Sequence, residues 1–319
     1  MPRNDERRAL ARMRAYRSRH TFAKISLPDY TTPTRKDMAV VIPFFNPTQS
    51  IRLVQNILTT TTLLHKADIP FFLIELASET IPFVFSESPT IFQYRASSFM
   101  FYKENLFAVA EQRISPEYTK LMLLDSDILF ENKDWYDRVS SALDTLQVVQ
   151  AFGVAHYLEF DFQSAETKHS VLIPDITDPH TGFAWAFRRD WYARAHIFEL
   201  ALIGGGDTIF NCQIQKKDLK STYSAYMEDY KSMSERGTTE TSIGYVDNTI
   251  YHLYHGPSVS RQYGSRHDDL WRFLRSKKIT RLSDLVERRE DGIFEWIPAY
   301  RDECNALLLK YFYARNDDS

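Results

Sequence analysis

Two carboxylates separated by one position, those of Asp125 and Asp127, directly follow the apolar run at residues 121–124. Such a run is typical of a buried strand, and open α/β sheets bind ligands beyond the carboxyl ends of their strands. Carboxylate oxygens are preferred ligands of Mg²⁺ and Mn²⁺, and either ion neutralises a diphosphate that leaves with negative charge. An Asp-x-Asp tripeptide alone is more often a surface turn, but its position after a buried strand favours a metal site.

A glycine-rich segment, residues 204–206, precedes a further carboxylate, that of Asp207. It contains three of the ten glycines of the chain. Glycine lets the backbone approach a ligand closely, so this segment could present Asp207 to a cleft as a catalytic acid or base. The alternative is a flexible turn in which Asp207 caps the helix that follows.

Two histidines, His252 and His255, end a later apolar stretch. Side chains three apart on a strand face opposite sides, so we expect only one of the two to reach a metal ion. Beyond them lie Arg261, Tyr263 and Arg266, which could close over a diphosphate because guanidinium groups bind phosphate oxygens in bidentate fashion. A solvated basic face is the alternative.

The elements that must position these residues alternate between short apolar runs and helical stretches. Strands are predicted at residues 39–45, 71–76 and 121–124, with further candidates at 148–155 and 183–187. Helices are predicted at residues 50–66 and 103–112, and Arg95 is predicted to lie in a loop. This alternation predicts an α/β fold with a mainly parallel central sheet.

The composition excludes several classes of protein. A net charge of -3, from 39 basic and 42 acidic residues, provides no field that would attract a nucleic acid. Cys212 and Cys304 lie far apart and without the spacing of a disulfide framework or a zinc site. Without an apolar run of about 18 residues or a signal-like N-terminus, we expect no membrane span and a cytoplasmic protein of a bacterial-like or viral setting.

We expect three regions along the chain. Residues 1–37 form an arginine-rich arm and linker, either solvated or bound to an anionic surface. Residues 38–269 form the catalytic domain. Residues 270–319 form a helical extension packed on the core, in which residues 311–319 are a helix that frays into a polar tail.

Taken together, the strand at residues 40–45, the acid on the second strand, the strand-borne Asp-x-Asp, the glycine-rich segment with Asp207 and the segment 252–256 resemble the GT-A glycosyltransferases. Within that class the likeness is to family-2-like enzymes and covers about residues 38–270. It implies a Rossmann-like GT-A fold that moves a sugar from a nucleotide-diphosphate sugar to an acceptor hydroxyl. UDP-sugars are the favoured donors, GDP-sugars are possible, and the acceptor is a glycan or another hydroxyl compound.

The resemblance also implies roles for single residues. Asp127 binds Mn²⁺ or Mg²⁺ directly, and Asp125 holds the donor ribose or a metal-bound water. His255 completes the metal coordination, which leaves His252 either as a core residue or as one that supports the metal ligands without binding the ion. Asp207 is the general base of an inverting reaction.

The same resemblance implies a nucleotide-sugar pocket. Glu75 meets the base or ribose, although the sequence Glu75-Leu76-Ala77-Ser78 departs from the Asp and Gly-Ser turn of many relatives. Trp185, in the segment 180–185, is a sugar platform, with a core tryptophan as the alternative. The remaining residues assigned to this pocket are Pro43, Phe44, Asn46, Arg95, Lys103, Ser126, Gly205, Gly206, Arg261, Tyr263 and Arg266.

Three other classes of protein compete with this interpretation. A strand ending in Asp-x-Asp is also the signature of haloacid-dehalogenase-like phosphatases, but two β-α units precede it here and Leu129 stands where Thr or Val is expected. Nucleotidyltransferases share the sheet and the metal-binding acids, but no basic glycine-rich loop follows Val41. A degenerate carbohydrate-binding scaffold is disfavoured by the joint presence of Asp127, Asp207 and His255.

Overall fold

The computed structural model describes residues 26–234, 241–262 and 264–319. Most of the predicted arm and the candidate residue Tyr263 lie outside the described residues. The strands are β1 (Met38–Phe45), β2 (Phe71–Ser78), β3 (Ile91–Ala96), β4 (Lys120–Leu124), β5 (Ile128–Phe130), β6 (Val148–Gln150), β7 (Val154–Leu158), β8 (Ser164–Ser170), β9 (Pro179–His180), β10 (Ala184–Arg188), β11 (Ile243–Tyr245), β12 (Thr249–His252), β13 (Val286–Arg288) and β14 (Phe294–Trp296). The α-helices are α1 (Ile51–Lys66), α2 (Lys103–Glu111), α3 (Trp135–Ala142), α4 (Arg189–Ala195), α5 (Gly206–Ile214), α6 (Met227–Ser234), α7 (Ser265–Lys277) and α8 (Arg301–Ala314). Short 3₁₀ helices lie at Ser221–Tyr226, Ser258–Arg261 and Leu282–Asp284.

The central sheet has the strand order β11-β6-β10-β4-β1-β2-β3 within the described ranges. Neighbouring strands are parallel except at β10, which runs antiparallel to β4 and β6. The predicted α/β class with a mainly parallel central sheet is therefore confirmed. Ala39 and Val41 of β1 point into one core cluster, and Val40 and Ile42 point into another on the opposite face. Burial on both faces is what a continuous apolar strand requires.

A second sheet, with the order β5-β12-β7-β8-β9, lies beside the first and is not predicted by the sequence pattern. The single strand predicted at residues 148–155 is wrong, because β6 belongs to the central sheet and β7 to the second sheet. Both halves of this run are largely buried, so its apolar character does not mark the point where the chain passes between sheets. The prediction of a loop at Arg95 is also wrong, since Arg95 lies on β3 and pairs with Ala77 of β2.

The region after residue 270 packs on the core, as Leu274, Trp296 and Leu308 are at most 1% exposed. Helix α7 begins at Ser265, so the boundary predicted at residue 270 falls inside a helix. The region also contains the antiparallel pair β13–β14 and is therefore not helical throughout. Across the described ranges, none of the helices combines the length and the apolar character needed to cross a membrane.

The predicted frayed tail is not observed. Asp318 accepts hydrogen bonds from the Ser50 hydroxyl at 2.7 Å and from the Arg52 amide at 2.9 Å, at the N-terminus of α1. A carboxylate at this place satisfies free amide groups of the first helical turn and complements the helix dipole. Residues 315–319 therefore pack against the body of the protein.

Candidate active site

Strand pairing in the second sheet brings Asp127 close to the two histidines. Asp127 lies in the turn between β4 and β5, and β5 pairs with β12 so that Ile128 is opposite His252. The Leu253 amide then donates to the Asp127 carbonyl oxygen at 2.8 Å. The carboxylate of the Asp-x-Asp motif is thus fixed beside a strand more than a hundred residues later in the chain.

The side chains of Asp127, His252 and His255 converge on one point. Asp127 Oδ2 lies 2.9 Å from His255 Nε2 and 3.9 Å from His252 Nε2, and the two Nε2 atoms are 2.9 Å apart. The expectation that only one histidine reaches this point is wrong. Strand β12 ends at His252, and the chain then turns through Gly256, whose φ is +87°, so the alternation of a strand does not extend to His255.

The protonation states of Asp127 and His252 suit a cation. Burial would raise the pKa of Asp127, but His255, His252 and Arg261 hold it well below its usual range. Burial lowers the pKa of His252 to about 3, so its imidazole is neutral at physiological pH. A carboxylate and a neutral imidazole are the forms that coordinate metals.

The spacing of the three ligand atoms also fits one divalent ion. Neighbouring ligands around an octahedral ion with bonds of about 2.1 Å are about 3 Å apart. Two of the three separations here are 2.9 Å and the third is 3.9 Å. The cluster can therefore share a single cation, with coordination positions left for a ligand.

A buried lysine joins the other two candidate acids. Lys103 is the first residue of α2, and its Nζ atom lies 2.5 Å from Asp125 Oδ1 and 2.9 Å from both carboxylate oxygens of Asp207. Burial would lower the pKa of Lys103, but the charges of Asp125 and Asp207 raise it above its usual range. Burial raises the pKa of Asp125 to about 7, and the negative charges of Asp207 and Asp127 add to this effect against the opposing charge of Lys103.

The glycine-rich segment approaches protein side chains closely. Gly204 and Gly205 have φ of +86° and +90°, and helix α5 begins at Gly206 with Asp207 in its first turn. A side chain at Gly206 would meet the carboxyl group of Glu104, so the backbone and this carboxyl group lie in close contact there. The sequence predicts a close approach of the backbone to a ligand. At Gly206 the backbone instead approaches the side chain of Glu104.

Glu104 is a feature that the sequence analysis missed. It is 3% exposed, and its Oε2 atom has no hydrogen-bond partner among the residues that the structure describes. Burial raises its pKa to about 8. A glutamate in the first turn of a helix is so common that nothing in the sequence distinguishes this one.

An open pocket of about 310 Å³, including space shared with solvent, lies at the carboxyl ends of β1, β2 and β3. Its lining includes Phe45, Asn46, Ser78, Ala96 and Met100. Asn46 lies at the predicted place, with its side chain bonded to the Ser50 backbone. Pro43 and Phe44 are instead buried, and Phe44 points to the opposite face of β1 from Phe45.

Glu75 and Arg95 support the wall of this pocket and do not face its interior. Glu75 is 2% exposed and accepts hydrogen bonds from the Val84 and Phe85 amides at 2.6 and 3.2 Å. The Arg95 guanidinium donates to the Ser78 carbonyl at 2.6 Å and lies 3.8 Å above the ring of Phe83. Both side chains hold the loop that follows β2, in contrast to the predicted contact with the nucleotide.

Trp185 and Arg266 are interior residues. For Trp185 this is the alternative of a core tryptophan, whereas for Arg266 it contrasts with the predicted contact with the diphosphate. Trp185 is 1% exposed, and its indole N–H donates to the Thr181 carbonyl at 2.7 Å. Arg266 is buried beside Gly204 and contacts the Tyr311 hydroxyl, so it supports the glycine-rich segment. An isolated tryptophan or arginine in a sequence carries no signal that distinguishes an internal contact from a ligand contact.

Arg261 and Ser126 lie beside the cluster of Asp127, His252 and His255. Arg261 is buried, contacts His255 and forms an ion pair with Asp317 at 3.0 Å. Ser126 separates the two acids, and its carbonyl oxygen accepts a hydrogen bond from the Thr60 hydroxyl at 3.0 Å. The Ser126 carbonyl thereby fixes the Asp-x-Asp turn to helix α1.

No family model and no curated protein matches this chain. Solved structures similar to it include the catalytic domain of Drosophila β1,4-galactosyltransferase 7, at 17% identity and a TM-score of 0.32, and the match covers 57% of this chain and 62% of that one. Thus the chain spans less than two thirds of that domain.

Two further similar structures contain Mn²⁺ and a nucleotide sugar. One is a mannosyltransferase from Pyrobaculum calidifontis in complex with GDP-mannose and Mn²⁺, at 12% identity and a TM-score of 0.40, covering 96% of this chain and 81% of that one. The other is glucosyl-3-phosphoglycerate synthase from Mycobacterium tuberculosis in complex with Mn²⁺, UDP-glucose and phosphoglyceric acid. It has 12% identity and a TM-score of 0.38, and the match covers 82% of this chain and 87% of that one. These matched structures are nucleotide-sugar glycosyltransferases, and at such identities and scores they assign no activity to this chain.

Proposed function

We propose that this protein is a metal-dependent glycosyltransferase of the GT-A type, which transfers a sugar from a nucleotide-diphosphate sugar to an acceptor hydroxyl with inversion. The observation that supports this most is the convergence of Asp127, His252 and His255 beside the linked acids Asp125 and Asp207. The three proposed metal ligands and the two linked acids lie near the carboxyl ends of strands, where parallel α/β folds bind ligands.

The cation would be held by Asp127, His252 and His255. When bound, it would neutralise the negative charge of the leaving diphosphate. Two imidazole ligands favour a transition metal over Mg²⁺, which prefers oxygen ligands and retains its water. Mn²⁺ is the proposed ion, because among transition metals it also suits the oxygen ligands that Asp127 and a diphosphate provide.

The nucleoside would occupy the pocket at the ends of β1, β2 and β3. The neighbouring strands β1 and β4 bring this pocket next to Asp125. A nucleoside there would direct its diphosphate towards the metal cluster. UDP-sugars are the proposed donors, and GDP-sugars are the second choice.

Asp207 is the proposed general base. Its carboxylate stands in the first turn of α5, and Lys103 binds both of its oxygens, which orients the carboxylate. Asp207 would accept the proton of the acceptor hydroxyl as that oxygen attacks the anomeric carbon from the face opposite the diphosphate. One such displacement inverts the configuration.

The test is thermal unfolding with UDP or GDP, each with Mn²⁺ or with EDTA, followed by a screen of nucleotide sugars for Mn²⁺-dependent hydrolysis. Ligand at 100 times its dissociation constant stabilises a protein by about 2.7 kcal/mol. We expect that stabilisation with Mn²⁺ only, and its loss in Asp127→Ala. Equal shifts with EDTA would contradict the metal bridge, and phosphate release from phosphomonoesters without sugar transfer would favour the phosphatase alternative.

A further inference from the structure

Residues 315–319 lie against the cluster of Asp127, His252 and His255. Beyond the bonds of Asp318 to helix α1, the Ser319 carbonyl oxygen accepts a hydrogen bond from the Tyr254 hydroxyl at 2.7 Å. A side chain at Gly256 would collide with the Asn316 carbonyl, so the two backbones meet where only glycine fits. The segment is therefore held directly beside His255.

Asp317 is the buried residue of this segment. Its side chain is 4% exposed, and its Oδ1 atom lies 3.0 Å from Arg261 Nη1, 3.2 Å from Arg315 Nη2 and 3.6 Å from His255 Nδ1. A carboxylate paired with two arginines therefore faces the histidine nitrogen that points away from Asp127.

The two nitrogens of His255 have different surroundings. Nε2 faces Asp127 and His252, whereas Nδ1 faces Arg261 and Asp317. Arginine can only donate, so its contact with Nδ1 suits a ring that carries its hydrogen on Nε2. A neutral ring that binds a cation through Nε2 must carry its hydrogen on Nδ1 and needs an acceptor there. Among the described residues, Asp317 provides a carboxylate at that position.

We propose that Asp317 is a positioning residue for the cation: it accepts the Nδ1 hydrogen of His255 and thereby presents the Nε2 lone pair to the ion. The His255 ring holds one hydrogen both without and with the bound cation. This hydrogen is on Nε2 when the cation is absent and on Nδ1 when it is bound. Arg261 keeps its ion pair with Asp317. The inference rests on the proposed function only in that Asp127, His252 and His255 bind a divalent cation.

The experiment compares Mn²⁺ binding to the wild type, Asp317→Asn and Asp318→Asn by electron paramagnetic resonance of free Mn²⁺. Asp318 is the matched control, because it anchors the same segment through α1 and not through His255. Loss of a carboxylate that orients a metal-binding histidine typically weakens metal affinity about 10- to 100-fold. We expect that loss in Asp317→Asn, and a change of less than about threefold in Asp318→Asn.

Pulsed electron paramagnetic resonance gives a readout that a general loss of stability would not change. Bound Mn²⁺ couples to the nitrogens of two imidazoles in the wild type, and we expect the coupling of His255 to weaken or vanish in Asp317→Asn. If that variant does not fold, the double variant Arg261→Gln/Asp317→Asn is compared with Arg261→Gln alone, which isolates the effect of the carboxylate because Arg261 also contacts His255.

Equal Mn²⁺ affinity and equal nitrogen couplings in the wild type and the folded variant would overturn the role of Asp317 and leave the metal site intact. Equal losses in Asp317→Asn and Asp318→Asn would also overturn it, since the segment would then act only as a support. A wild-type protein that binds no Mn²⁺ would overturn the metal site and this inference together.

Discussion

The Nζ atom of Lys103 lies 2.9 Å from both carboxylate oxygens of Asp207. The same ammonium group also binds Asp125, so a single buried cation links residues more than eighty positions apart. Without it, two carboxylates and the buried carboxyl group of Glu104 would share one small volume without a counter-charge. The lysine therefore orients the proposed base and joins α2, β4 and α5 at the site.

Replacing Lys103 with glutamine should destabilise the protein by about 3 kcal/mol, because removing one partner of a buried ion pair leaves the other without compensation. Urea unfolding measures this. Lys36→Gln is the matched control, since Lys36 pairs with Asp68 at the exposed surface and such pairs contribute about 1 kcal/mol or less. Equal effects of the two substitutions would contradict a buried structural cation at Lys103.

His252→Ala and His255→Ala should each weaken Mn²⁺ binding at least about tenfold, because both Nε2 atoms face Asp127. Isothermal titration with Mn²⁺ measures the two affinities. His65→Ala is the control, since His65 is exposed at the end of α1. Wild-type affinity in His252→Ala would restore the assignment of His255 as the single histidine ligand.

Glu104 predicts a dependence of stability on pH. Its pKa rises from 4.5 to about 8 on folding, so the folded protein holds the proton more tightly than the unfolded chain. The contribution of Glu104 is therefore complete below pH 4.5 and is lost as the pH rises towards 8.

Glu104→Gln stays neutral, and at pH 8.5 it should be more stable than the wild type by more than about 1 kcal/mol, with a smaller difference at pH 5. Urea unfolding at the two pH values measures this, with the exposed Glu117→Gln as a control that follows the wild type. A wild type and Glu104→Gln variant with parallel pH profiles would show that Glu104 titrates normally.

Much of the central sheet could be predicted from the sequence, because buried parallel strands such as β1 and β4 are continuous apolar runs. Strand β3 could not, since it lies at the edge of the sheet and alternates with polar residues such as Gln93 and Arg95. The division of residues 148–155 between two sheets is likewise absent from an apolar pattern. Local sequence signals predict buried strands well. They predict poorly which strands pair when those strands are distant in the sequence.

The candidate site shows the same division. Asp127, Asp207 and His255 have local sequence contexts that favour a site, namely a strand end, a glycine-rich turn and a histidine before glycine. His252 lies in the same segment as His255, but its approach to Asp127 depends on the pairing of β5 with β12, which the sequence does not show. Glu104 and Asp317 have no such context, because their places depend on the contact of Glu104 with Gly206 and on the path of residues 315–319. Conversely, Glu75 and Arg95 have sequence contexts typical of ligand contacts, yet they bind the protein's own backbone.

The last prediction concerns Asp207 as the proposed base. Asp207→Asn keeps the size of the side chain but cannot accept the hydroxyl proton, so turnover should fall about 10²- to 10⁴-fold. Donor and Mn²⁺ affinity should change little, because Asp207 pairs with Lys103 and not with the metal cluster. Steady-state kinetics with a nucleotide sugar measures turnover, and NMR of the product measures the anomeric configuration, which we expect to be inverted.

Asp190→Asn is the matched control for Asp207→Asn, since Asp190 also lies in the first turn of a helix but is exposed and pairs with Arg188. It should transfer sugar at the wild-type rate. A retained anomeric configuration, or near wild-type turnover in Asp207→Asn, would remove Asp207 as the base. In that case the pair of Lys103 and Asp207 would support the site without taking part in proton transfer.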